Sequence, residues 1–148
     1  MASLLLTLNR RYPEGAFVLL TEGAGAITAQ IKLLVERPRP AGDSIEIVTA
    51  ALDYSYPSGH VVGYVVLYGF LFFLVVVLYG PSFVRSILLG VFGSLVGLVG
   101  VSRIHLGHHW VSDVVGGYAL GTAYLLLLIV LYRLIVAQPA AEHDARPP

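Results

Sequence analysis

Long apolar runs separated by short polar stretches organise the chain, without the period-two alternation that membrane strands would show. Val61 to Tyr79 contains no charged residue, and Val114 to Tyr132 repeats that pattern before ending at Arg133. Each approaches the ~20 residues a helix needs to cross a bilayer core. Ser86 to Val101 is shorter, and Val84 and Arg85 extend it if the arginine snorkels to the interface. Gly15 to Ile31 is interrupted by Glu22, whose carboxylate is expected to face the bundle interior or a water-filled cavity and to make a helix-packing hydrogen bond. The pattern predicts an all-α integral membrane bundle with spans near residues 15–35, 60–80, 84–102 and 113–136, inside one domain at 1–137. Gln138 to Pro148 is rich in proline, alanine and charge and is expected to be a disordered polar tail.

Glycines recur inside the runs. Gly93-x3-Gly97 and Gly117-x3-Gly121 have the spacing that lets membrane helices approach closely, and Gly90 and Gly100 extend the first stripe. They are read as packing positions.

Composition supports the membrane assignment independently: 57% of residues are hydrophobic, 12% are charged and the mean hydropathy is +0.80. The absence of cysteine excludes disulfides and thiolate metal sites. A formal net charge of zero gives no support for a nucleic-acid partner, so none is expected. No cleavable leader is evident, since Ala2 to Leu8 is too short an apolar run and Arg10 and Arg11 follow it. Charge also predicts orientation. Arg10, Arg11, Arg85 and Arg133 fall on one side of four alternating spans, and the positive-inside rule makes that side cytoplasmic.

Three polar segments then meet on the opposite, extracytoplasmic side: Lys32 to Pro40, Pro57 to His60, and Ser102 to Asp113. Lys32 and Arg39 stand near two helical turns apart, and Pro40 disfavours helix at Arg39, so both cations are expected at a helix exit, able to converge on one anion. Arginine offers a planar fork to phosphate oxygens and lysine a compact charge. Arg103 would be a third cation, and Arg37 is read as a flanking charge that could give phosphate a second contact. Ser58 and Gly59 precede the second span, where unpaired N–H groups and the helix dipole favour an anion. His109 and Asp113 have i, i+4 spacing, which on a helix shares a face, so the carboxylate can accept Nδ1–H and leave Nε2 free. His105, His109 and Asp113 also have the spacing of three metal ligands on one helical face, with His108 nearby. Gly107 interrupts that face and the cations suit an anion better, so no metal is expected.

In this order the segments resemble the signature of the type 2 phosphatidic acid phosphatase superfamily, which includes the vanadium haloperoxidases: Lys-x6-Arg-Pro, Pro-Ser-Gly-His and Ser-Arg-x5-His-x3-Asp. Lys32, Arg39 and Pro40, Pro57 to His60, and Ser102, Arg103, His109 and Asp113 occupy every fixed position. The resemblance implies a membrane lipid phosphate phosphatase. His109 would attack phosphorus and form a phosphohistidine, Asp113 would orient it, and His60 would protonate the leaving oxygen and later activate water. Lys32, Arg39, Ser58, Gly59 and Arg103 would hold the phosphate, without cofactor or metal.

Undecaprenyl diphosphate, phosphatidylglycerophosphate and phosphatidic acid are the candidate substrates, in a bacterial inner or plasma membrane. A lipid phosphotransferase would use the same residues. A non-catalytic membrane phosphate-binding or transport protein is disfavoured by the intact attacking, orienting and proton-transferring groups, and haloperoxidase activity by the membrane-spanning composition. The family's membrane members usually have six spans with the motifs in the last four. Only those four are visible here, which is read as a fragment or as a form completed by a second copy in a homodimer.

Overall fold

A computed structural model describes residues 12–40 and 54–136, all helices, turns and irregular connections with no strand among them. The tail expected at 138–148 and the leading segment around Ala2 to Arg11 lie outside the described residues.

The first span runs from Tyr12 to Val35 but is two helices, α1 (Tyr12–Leu20) and α2 (Gly23–Val35). Around Thr21 and Glu22 the amides bond to carbonyls three residues back: Thr21 to Val18, Glu22 to Leu19, Ala24 to Thr21 and Gly25 to Glu22. That tighter pattern breaks the α-helical ladder. Tyr124 Oη donates to the Leu20 carbonyl at 2.9 Å, so a carbonyl released at the break finds a partner inside the bundle. Glu22 occupies the break on a cavity of about 350 Å³ shared with Tyr64 and Tyr68. Its side chain makes no hydrogen bond among the described residues, contrary to the packing bond expected of it; the break turns it outward, where it is exposed. The buried carboxylate of this span is Glu14, whose Oε1 accepts from Tyr132 Oη at 3.3 Å.

Three longer helices follow: α3 (Gly59–Leu78), α4 (Phe83–His105) and α5 (Val111–Ile135). The third span is not short. It continues through Arg103 to His105, three residues beyond its expected end at 102, and its 23 residues rise about 34 Å.

α3 is the central element, with Val61, Val62, Val66 and Phe70 fully buried. One apolar cluster joins Phe17, Phe70, Leu74, Leu128 and Tyr132 at the end of the bundle away from the site, with Phe17 edge-on to Tyr132 at 5.4 Å. A second joins Val61, Val65, Val99 and Val114 near the site. In lipid such packing stabilises through close contact, because the bilayer removes the hydrophobic drive between helices.

The glycine stripes do not behave alike. A Cβ on Gly121 would lie 2.9 Å from Val65 Cβ, and one on Gly117 3.0 Å from the Ser58 carbonyl oxygen, so these are close-approach positions. Gly100 is another, where a Cβ would lie 2.7 Å from the Tyr118 ring, and its amide donates to Tyr118 Oη at 3.2 Å. Gly90 and Gly97 have open space around them, and Gly93 meets only Phe72 at 3.9 Å. The Gly93-x3-Gly97 stripe is therefore not a packing seam, because α4 crosses its neighbours nearer its C-terminal end, where Val99 and Gly100 are its buried residues.

Candidate functional site

The chain alternates direction, so the α2 exit, the α3 start, the α4 end and the α5 start gather at one end of the bundle. α2 stops at Val35, where Glu36 takes a left-handed conformation (φ 49°) and returns its amide to the Lys32 carbonyl. The chain then runs without regular structure through Arg37 to Pro40. Ser55 pins this segment, its amide bonding the Arg37 carbonyl at 2.8 Å and its hydroxyl the Pro38 carbonyl at 3.0 Å.

Lys32 sits in the last turn of α2 and donates from Nζ to the Tyr54 carbonyl. Arg39 reaches across to the third segment, its Nη1 donating to the His108 carbonyl at 2.9 Å. Ser58 is the N-cap of α3, fully buried, and its amide bonds the Asp113 carbonyl at 3.0 Å. Its Oγ has no hydrogen-bond partner among the described residues. Gly59 opens the helix, where the first N–H groups lack intrahelical acceptors. His60 follows one residue on, within coulombic reach of Arg103, Arg39, His108 and Lys32. Arg103, in the last turn of α4, keeps Nη2 3.2 Å from Ser102 Oγ and has a buried Nε without a partner among the described residues. All eight candidate residues, His109, His60, Asp113, Lys32, Arg39, Ser58, Gly59 and Arg103, thus belong to this one end of the bundle.

His109 and Asp113 meet by a different route from the one expected. His109 is not helical: α4 ends at His105, Gly107 turns the chain with φ 67°, and α5 begins only at Val111. Trp110 is the N-cap, and Asp113, at the third helical position, accepts its amide through Oδ2 at 2.9 Å. A carboxylate there also complements the helix dipole. His109 Nδ1 lies 3.5 Å from Oδ2 without a hydrogen bond, so the carboxylate stands beside the ring but does not accept the Nδ1–H that spacing predicts. Both side chains are essentially buried. The same break removes the one-face premise of the metal reading: His105, His109 and Asp113 do not share a helix, and His105 and His108 are exposed.

Burial lowers the pKa of the His109 imidazole from its ordinary value near 6.5 to about 4. The positive charge of Arg39 and, more weakly, Lys32 pushes the same way, while Asp113 and the Ser55 carbonyl oppose it. The ring is neutral at neutral pH, with a lone pair available.

Sequence reasoning placed Arg37 at the margin. It belongs inside: its Nη1 donates to Asp113 Oδ1 at 2.9 Å and to Ser112 Oγ at 2.6 Å. The duplicated Arg-Pro was the only signal, and it did not say which arginine faces phosphate. Trp110, whose indole donates to the Pro38 carbonyl at 3.1 Å, was missed altogether.

A cavity of about 570 Å³ opens between α3 and α4 beside this cluster. His60, Ser102 and Arg103 line its polar end, and Ile87, Val91 and Leu98 its apolar length.

The sequence profile of the PAP2 superfamily matches residues 14–136. Phosphatidylglycerophosphatase B of Bacillus subtilis (strain 168) is 33% identical over 121 residues, which cover 80% of this chain and 58% of that protein. Lipid phosphate phosphatase delta of Arabidopsis thaliana is 31% identical over 113 residues, 68% of this chain and 26% of that one. A crystal structure described as the first transmembrane PAP2 type phosphatidylglycerolphosphate phosphatase from Bacillus subtilis superposes with a TM-score of 0.69 at 30% identity, covering 88% of this chain and 64% of the solved one. The chain spans less than two thirds of the length of each of these relatives.

Proposed function

The chain belongs to the PAP2 superfamily, and from that premise we propose that it hydrolyses the phosphate or diphosphate head group of a membrane lipid at the extracytoplasmic face. The observation that carries the reading is a buried, neutral imidazole and a buried carboxylate, with the charges of Lys32 and Arg39 acting on that imidazole, Arg103 acting on His60, and a Ser58 hydroxyl unpartnered among the described residues. Cations gathered around a neutral nucleophile suit an anionic substrate under attack.

In the proposed reaction, His109 Nε2 forms a bond to phosphorus as the bond to the leaving oxygen breaks. His60 gives that oxygen its proton. Water, deprotonated by His60, then attacks the phosphohistidine and releases inorganic phosphate, restoring both histidines. Lys32, Arg39, Arg103, the Ser58 hydroxyl and the N–H groups at the start of α3 hold the equatorial oxygens as charge redistributes. These cations supply the charge neutralisation that metal ions provide in many phosphoryl-transfer enzymes. Asp113 stabilises positive charge developing on His109.

The α3–α4 cavity supports a lipid over a soluble phosphate ester, since an apolar tail lying along Val91 and Leu98 leaves its head group beside His60 and Arg103. Phosphatidylglycerophosphate is the favoured substrate among the lipid phosphates, supported by the name that the Bacillus subtilis sequence and crystal structure share. The extracytoplasmic orientation rests on Arg85 and Arg133, which lie at the bundle end opposite the site. Phosphate release from a panel of lipid phosphates in detergent tests the proposal: the wild type should turn over, and His109→Ala should not. Equal rates for the two proteins would reject it.

A further inference from the structure

Arg37 has a place in the site that the phosphate chemistry does not explain. Asp113 is fully buried, while the Arg37 side chain is 35% exposed and reaches it from the segment after α2. The two carboxylate oxygens have separate neighbours. Oδ1 accepts from Arg37 Nη1 at 2.9 Å, whereas Oδ2 accepts the Trp110 amide at 2.9 Å and faces His109 Nδ1 at 3.5 Å. The guanidinium is itself held. Its carbon lies 5.7 Å from the Trp110 ring centroid, Nη1 also donates to Ser112 Oγ at 2.6 Å, and the Trp110 indole is tied back to Pro38. Arginine, tryptophan, serine and aspartate thus form a closed set joining the first motif segment to the third.

We propose that Arg37 is a positioning residue for the phosphoryl-transfer reaction, one that fixes the Asp113 carboxylate so that Oδ2 stays turned toward His109. The inference rests on the phosphatase reading above. The terminal torsion of an aspartate is soft, and rotation about it exchanges the two oxygens. A donor on each oxygen removes that freedom, and the guanidinium also balances a buried charge that would otherwise be uncompensated. The planar arginine can lie over the Trp110 ring while its edge donates; lysine keeps the charge but loses the stacked plane.

The test compares wild type, Arg37→Ala, Arg37→Lys and Arg39→Ala in detergent, with phosphatidylglycerophosphate as substrate and inorganic phosphate, the product, as a competing ground-state ligand. For Arg37→Ala, kcat should fall about tenfold to a hundredfold, the scale seen when the outer partner that orients a metal-bound histidine is removed. Its KM and phosphate inhibition constant should stay within about threefold of wild type, the mark of an interaction made in the transition state. Arg37→Lys should recover part of the rate, because it keeps the charge without the stacked plane. Arg39→Ala should weaken phosphate binding as well as slow turnover. A wild-type kcat in Arg37→Ala overturns the inference, and so does a parallel loss of phosphate affinity, which would make Arg37 a phosphate ligand. Loss of the thermal transition in both Arg37 variants also overturns it, in favour of a structural role. If only Arg37→Ala fails to fold, Arg37→Gln carries the same comparison. An active, His109-dependent wild type beside an unaffected Arg37→Ala rejects the inference alone, whereas a wild type without turnover rejects the phosphatase reading as well.

Discussion

The Ser58 amide donates to the Asp113 carbonyl at 3.0 Å, and this bond fastens the start of α3 to the first turn of α5. The Ser58 hydroxyl at this junction is buried and without a hydrogen-bond partner among the described residues. An orphaned buried hydroxyl costs about 1–3 kcal/mol. Ser58→Ala should therefore leave the melting temperature unchanged or raise it. If the hydroxyl donates to a phosphate oxygen in the transition state, the same change should slow turnover by about 10²-fold, the scale seen when one oxyanion donor is removed. Thermal unfolding and steady-state kinetics on one preparation check both signs; a destabilised variant with full activity contradicts the assignment.

The pH dependence follows from the depressed His109 pKa. A neutral ring is needed for attack, so the acid limb of kcat/KM set by His109 should fall near pH 4 and not near 6.5. Stability has its own sign. Between pH 6.5 and about 4 the unfolded imidazole binds a proton that the folded site rejects, so stability is full above that window and decreases as pH falls through it. His109→Gln removes the titrating group and should flatten this part of the stability curve. Unfolding midpoints at pH 7 and pH 5 measure the difference.

The glycines separate into two classes that the sequence does not distinguish. Gly121→Val would press a branched side chain against Val65, whose Cβ is 2.9 Å from the position of a new Cβ, and should destabilise by about 1–3 kcal/mol. Gly97→Ala meets nothing within 4 Å and should be neutral or slightly stabilising. Thermal unfolding in detergent distinguishes them. Similar losses at both would mean that α4 packs more tightly than described.

Orientation is testable because the chain contains no cysteine. A cysteine at Leu106, exposed in the turn after α4, should react with a membrane-impermeant thiol reagent in intact cells. One at Ser82, at the opposite end of the same helix, should stay protected until the membrane is broken. The reverse pattern would place the site in the cytoplasm.

Much of this fold was legible because the signal is length and charge-free composition: α3 and α5 fall within two residues of the expected spans at both ends. Local backbone chemistry was harder to see. The break at Thr21 and Glu22 depends on three-residue hydrogen bonds and on Tyr124, more than a hundred residues away in sequence. The spacing of His109 and Asp113 showed that they would be neighbours but misread how, because Gly107 and an N-cap at Trp110 replace the helix that i, i+4 spacing suggests. Arg37 and Arg39 share one local pattern. Only tertiary contacts separate them, with Arg37 on the Asp113 carboxylate and Arg39 on the His108 carbonyl.

The central claim is that His109 carries the phosphoryl group. A single turnover with a lipid phosphate labelled with ³²P, quenched in alkali where phosphohistidine survives, tests it directly. Label should appear on the wild-type protein and disappear on a chase with unlabelled substrate. It should be absent from His109→Ala and present in His108→Ala. Label retained by His109→Ala, or turnover without any labelled protein, would contradict the account.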